Sequence, residues 1–293
     1  MKTSTCYVFA VLVIEAMVQA QPVAPDDKPE PWLVSVRNAV NLSQMGEYRD
    51  AIEKYRVLLT DPTIAGTVQL RAYVLSQMAD AEIELGDYAA AETEAREALS
   101  MLARSNEAQT STFAVGEGVL ADALQAEAKY GEAKRLAEEA VSLGKRTLDP
   151  LSPRLGILLT TLGLILQESG QLRPALVLCK QALEIFAKAG ERYKIDFGAA
   201  YQNLAVVYED MGRPKKALET ITLALATWNE VLPPDHPFIV YALSSKVVAY
   251  TELKAFKEAK SIIPQMLRLG LSHSPRTRDY DVTPEIRPNQ NAI

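Results

Sequence analysis

Residues able to do chemistry are few in this sequence and stand far apart. Its 293 residues include two histidines, His236 and His273, and two cysteines, Cys6 and Cys179. His236 lies in a proline-rich turn and His273 near the carboxy terminus, so neither belongs to a Cys/His cluster with metal-ligand spacing. No Gly-x-Ser-x-Gly elbow is present to raise a serine nucleophile. Gly116-Glu117-Gly118 lacks the third glycine, the following lysine and the preceding strand of a phosphate loop. The acidic pairs Glu138-Glu139 and Glu209-Asp210 read as solvated helix faces rather than acid–base dyads. Cys179 falls on a helical apolar stripe and reads as a small core residue. His236 reads as a turn and helix-start residue. The reading is of a protein that is not an enzyme and has no metal or cofactor. A net charge of −6 without any Lys/Arg-rich run also excludes nucleic acid as the expected partner.

The chain is ordered by a long repeat. Ala51, Ala91, Ala133, Ala175, Ala217 and Ala259 are separated first by 40 and then, four times, by 42 residues. Four residues after these anchors come Tyr55, Ala95, Ala137, Cys179, Ile221 and Ile263, and seven after come Leu58, Ala98, Ala140, Ala182, Ala224 and Met266. Positions i, i+4 and i+7 share one helix face, so each anchor opens the buried stripe of a second helix. Twelve before the anchors stand Ala39, Ala79, Ala121, Gly163, Ala205 and Val247, nearly all small, on a first helix. Five before the anchor, Gly46, Gly86, Gly170 and Gly212 recur, as expected where the first helix ends in a left-handed residue. Pro174 and Pro214 sit near the start of the second helix, where a missing N–H is harmless. The fold class expected is all-α, with small residues where paired helices come close.

The pattern Leu204-Ala205-x-x-Tyr208, Gly212, Ala217, Ala224 resembles the tetratricopeptide (TPR) repeat. That repeat is usually about 34 residues long, and the 42-residue period here is similar to its kinesin-light-chain type. Asp235-His236-Pro237, and the diverged Asp149-x-x-Ser152-Pro153, look like the Asp-His-Pro element that opens units of that type. The resemblance covers residues 32–271. It implies a right-handed α-solenoid of about six helix-turn-helix repeats and other proteins as partners. It implies, too, that the first helices line a concave groove holding a peptide or partner helix. The positions so implied are Arg37, Tyr73, Gln77, Asp80, Asp122, Thr160, Thr161, Gln202, Asn203, Tyr241, Ser244 and Ser245. Asn203 matches a position where the family often uses Asn toward a peptide backbone. Arg37 is the only cation among them, which disfavours a carboxylate-terminated ligand and suits a neutral or mildly basic peptide.

Outside the solenoid, residues 1–20 read as a secretory signal: Lys2, an apolar run over 6–14, and the small-residue exit Val18-Gln19-Ala20. Glu15 interrupts it, and the alternative is an uncleaved amino-terminal membrane anchor. Cleavage after Ala20 would leave Cys179 alone, without a disulfide, in a secreted or periplasmic protein. Residues 21–31 read as a Pro-rich linker and 272–293 as a flexible tail. Within the solenoid, residues 105–118 are expected to be the least helical joint, and Pro264 to kink or end the last helix. The function expected is a non-catalytic interaction scaffold or adaptor. The alternatives are a membrane-anchored structural subunit and a regulatory module of a separate enzyme.

Overall fold

The computed structural model describes residues 30–272. Among them there is no strand. The helices pair as successive hairpins: α1 (Pro31–Gln44) with α2 (Tyr48–Leu58), then, after a short α3 (Pro62–Gly66), α4 (Val68–Leu85) with α5 (Tyr88–Arg104). There follow α6 (Ser111–Ala126) with α7 (Tyr130–Thr147), and α8 (Pro153–Glu168) with α9 (Leu172–Ala189). A 3-10 turn (Glu191–Tyr193) leads into α10 (Lys194–Asp210) with α11 (Pro214–Asn229), and α12 (Pro237–Glu252) with α13 (Phe256–Ser272) ends the series. The second helix of each hairpin packs on the first helix of the next, and successive first helices touch one another. This is a helix-turn-helix solenoid whose core is a ribbon running its length.

The anchor alanines Ala51, Ala91, Ala133, Ala175 and Ala217 have no exposed surface. A methyl group there lets paired helices approach closely, and a larger side chain would hold them apart. Where one partner is bulky, the other is reduced. A Cβ on Gly163 would come 3.2 Å from the Cys179 sulfur, and one on Gly156 2.9 Å from the Phe186 ring. A Cβ on Gly198 would overlap the Trp228 indole, whose N–H donates to the Ile195 carbonyl at 2.9 Å. Cys179 is buried, and burial pushes its thiol up to about 12, so it behaves as packing.

Each hairpin turns in the same way. The residue five before every anchor has φ in the left-handed region: Gly46, Gly86, Gly170 and Gly212, but also Ala128 (63°) and Lys254 (59°). The next residue's N–H then bonds back to the carbonyl five before it, as in Glu47 to Leu42 and Lys129 to Leu124, at 2.9 and 2.8 Å.

The structure departs from the sequence expectations in four places. Only residues 105–110 form the joint, because α6 begins at Ser111 and carries Gly116 and Gly118 buried inside it. Those glycines admit neighbours: added Cβ atoms would meet Leu99 at 3.0 Å and Leu158 at 2.7 Å. Second, α13 continues through Pro264. Pro264 and Lys260 lie on the exposed side, where water can take the carbonyl that the ring leaves free. Third, α3 has no counterpart in the repeat. The Asp61 carboxylate caps it by accepting from Thr63 N at 2.8 Å, and Ile64 seats it in the core. Fourth, helix α1 begins at Pro31, one residue inside the expected linker. The signal at 1–20, the linker to residue 29 and the tail from 273 lie outside the described residues.

Because Ala128 is exposed, replacing it with glycine should relieve backbone strain and little else. Ala128→Gly should raise unfolding stability by about 1 kcal/mol. Gly212→Ala, where no atom lies within 4 Å of the new Cβ, should lower it by about the same. Urea denaturation followed by circular dichroism reads both; equal midpoints for all three proteins would refute the strain.

Candidate functional site

Most of the twelve residues implied to line a groove are not open to a partner. Tyr73, Gln77, Asp80, Asp122, Thr160, Thr161, Gln202, Asn203 and Ser245 are buried, Tyr241 and Ser244 are half-buried, and Arg37 alone is exposed. Two pairs among them bond between adjacent first helices. The Thr161 hydroxyl on α8 donates to Asp122 on α6 at 3.1 Å, and the Gln202 amide on α10 donates to Ser245 on α12 at 2.8 Å. Gln77 donates to Asp80 within α4 at 3.3 Å. Thr160 and Ser244 bond back to carbonyls of their own helices, Gly156 and Val240. Burial, then Asp122 and Glu84, holds the Asp80 carboxyl well above the usual carboxylate range.

The first and last hairpins also meet. His236, at the start of α12 in the last hairpin, is fully buried. Its Nδ1 accepts from Phe238 N at 3.2 Å, capping α12. Its Nε2 lies 3.1 Å from the Gln44 carbonyl at the end of α1, 192 residues away in sequence. These partners define the tautomer: Nδ1 bare, Nε2 protonated and donating. A Cβ on Gly46 would come 3.1 Å from the Pro237 ring, so first and last hairpins are in close contact. Behind the seam, Phe238 meets His236 edge to face (4.8 Å between ring centroids) and lies tilted against Trp228 of α11 (5.2 Å).

One part of the inner rim remains open. A cavity of about 460 Å³ spans the first helices of four hairpins, lined by Gln125 of α6, Leu164, Gln167 and Glu168 of α8, Val206 and Asp210 of α10, and Tyr241 of α12. Leu164, Leu172 and Val206 give it an apolar lining, and Glu168 and Asp210 an acidic one. Gln167 donates its amide to Asp210. The Glu209 carboxyl is pushed up to about 7, by burial first and then by Glu252 and Asp210. The Tyr241 phenol is raised to about 12, again by burial and then by Glu209. Of the residues implied by the sequence, only Tyr241 lines this cavity. The others were missed because they sit seven, eight and eleven residues before the anchors, in the last turns of the first helices. A signal existed: Glu84, Glu168, Asp210 and Glu252 recur seven before their anchors. Among the described residues, no group of three His, Cys, Asp or Glu side chains could hold a metal ion. No described helix is long and apolar enough to cross a membrane.

Stacked helical hairpins define a repeat-built scaffold. Sequence models of the tetratricopeptide repeat match residues 112–188 and 198–238, and the chain carries tetratricopeptide repeats over those segments. Comparison with curated proteins returns no significant match. Among solved structures, it is similar to the nearly identical TPR-like, kinesin-light-chain repeats of Podosopora anserina: 21% identity, TM-score 0.54, covering 71% of this chain and 99% of that one. BtubC (BKLC) of P. vanneervenii is 19% identical, TM-score 0.57, covering 78% and 91%. A Rap protein complexed with competence and sporulation factor is 13% identical, TM-score 0.60, covering 82% and 74%. These likenesses are of fold. Tetratricopeptide-repeat proteins are in general non-catalytic scaffolds that bind other proteins.

Two measurements check this geometry. Asparagine can still cap α12 but is too short to reach Gln44, so His236→Asn should keep the helical signal while opening the seam. An increase in the radius of gyration by X-ray scattering is expected, and an unchanged profile would show the seam to be incidental. Glu209 is harder to ionise folded than unfolded. Its contribution is therefore fully present below its ordinary value of 4.5 and is lost as pH rises through about 7. Glu209→Gln should exceed the parent in urea midpoint at pH 8 and lose that advantage at pH 4.5; a difference independent of pH would contradict the assignment.

Proposed function

We propose that this protein is a non-catalytic scaffold that holds a segment of another protein against the inner rim of its solenoid. The observation that carries this reading is the cavity shared by four successive first helices, from Gln125 to Tyr241. An extended peptide or one face of a partner helix could run along it, since successive first helices present equivalent rows. Asn203, Gln202 and the other buried inner residues act in this reading as ties between repeats.

The apolar run and small-residue exit within residues 1–20 support export, with the scaffold acting in a secreted or periplasmic setting after cleavage behind Ala20. Gln21 as the amino-terminal residue of the mature protein is the expected result; an intact Met1 would refute cleavage.

The docking face is tested by placing a photo-cross-linking amino acid at Tyr241 or, as control, at Leu223, which is exposed on the second-helix side. A partner should be captured from Tyr241 and not from Leu223 in the expressing cell. Capture from Leu223 alone would overturn the inner-rim reading.

A further inference from the structure

The inner cavity has acceptors but no cation. None of Gln125, Leu164, Gln167, Glu168, Val206, Asp210 and Tyr241 is basic. Arg173 lines only the shallower depression beside it, which shares Asp210 and Leu172. Glu168 and Asp210 contribute carboxylates at the edge, with Glu209 and Glu252 close behind. Gln125 is 3% exposed, and its Oε1 meets no donor. A buried acceptor left so costs about 1–3 kcal/mol, and an N–H brought by an occupant would recover it. The floor, from Leu164, Val206 and Leu172, is apolar and suits a hydrocarbon stem.

Resting on the scaffold reading above, we propose that this cavity receives an arginine or lysine side chain of the partner, its stem on Leu164 and Val206 and its charged head between Glu168 and Asp210. The head offers only donors, and the cavity edge meets it with the Glu168 and Asp210 carboxylates and the Gln125 amide oxygen. Arginine suits it better than lysine, because a planar guanidinium can reach Gln125 Oε1 and a carboxylate at once. Nearby Glu209, held partly protonated at neutral pH, would ionise beside the arriving cation. At about 460 Å³ the cavity lies in the ~300–1,000 Å³ range of small-ligand sites. It therefore has room for the side chain and part of its backbone.

The test uses the full chain and three blocked peptides, acetyl-Ala-Arg-Ala-amide and its Lys and Gln counterparts, titrated by NMR at low salt. The Arg peptide should shift resonances of Leu164, Val206 and Tyr241. The Lys peptide should do so more weakly, and the Gln peptide should not. The Glu168→Gln/Asp210→Asn double variant keeps shape and hydrogen bonding, and should weaken Arg-peptide binding roughly tenfold or more. Val206→Lys, which supplies the cavity with its own cation, should abolish it while circular dichroism stays unchanged. Equal binding of Arg and Gln peptides, or full binding by the double variant, would overturn the proposal. Should the double variant still cross-link its partner from Tyr241, the scaffold reading stands and the charge recognition falls. Loss of the Tyr241 cross-link in the parent protein would remove the scaffold reading instead.

Discussion

The structure depends on how closely the two helices of each hairpin can approach. That distance is set where an anchor alanine of the second helix meets the small residue twelve positions before it on the first. Ala79, Ala121 and Ala205 have no exposed surface, and neither do their anchors. Small rotations from one hairpin to the next accumulate along a solenoid. Here they accumulate until the last hairpin touches the first, at His236 and Gln44.

Burial changes the chemistry of the inner face. In an open solenoid, Asp122, Thr161, Gln202 and Ser245 would be solvated and available. Turned inward with little room for water, they must find partners among themselves, and neighbouring first helices provide them. The pairing is incomplete: Asp80 Oδ1, Gln125 Oε1, Gln202 Oε1 and the Tyr73 hydroxyl are left over. The carboxyls respond as burial requires, Asp80 strongly and Glu209 to about 7, by favouring the proton. The inner rim is therefore rich in acceptors and acidic where it opens.

The hairpin turns show the same economy of parts under less favourable residues. All the turns preceding the anchors keep a left-handed residue, although Ala128 and Lys254 replace glycine in two of them. The return hydrogen bond and the packed helices on either side impose the conformation, at some backbone strain. A turn is thus retained even where its own residue disfavours it, because the neighbours over-determine it.

The sequence by itself determined the period, the hairpins, the buried stripes and the fold family. All of these follow from i, i+4 and i+7 spacing and from small residues at equal intervals, which are local along the chain. It also marked Cys179 as packing and His236 as a helix-start residue. It misjudged Gly116, Gly118 and Pro264, whose backbone preferences yielded to the space left by Leu99 and Leu158 and to an exposed helix side. Which inward residues are open was decided only by the tertiary structure. The rows containing Asn203 and Gln202 look like open groove residues in the sequence, and only the packing of successive first helices shows them buried. The cavity between Gln125 and Tyr241 is a product of the accumulated tilt. Each pairwise tilt is encoded locally, but its sum over the solenoid is a long-range quantity that no spacing in the chain displays.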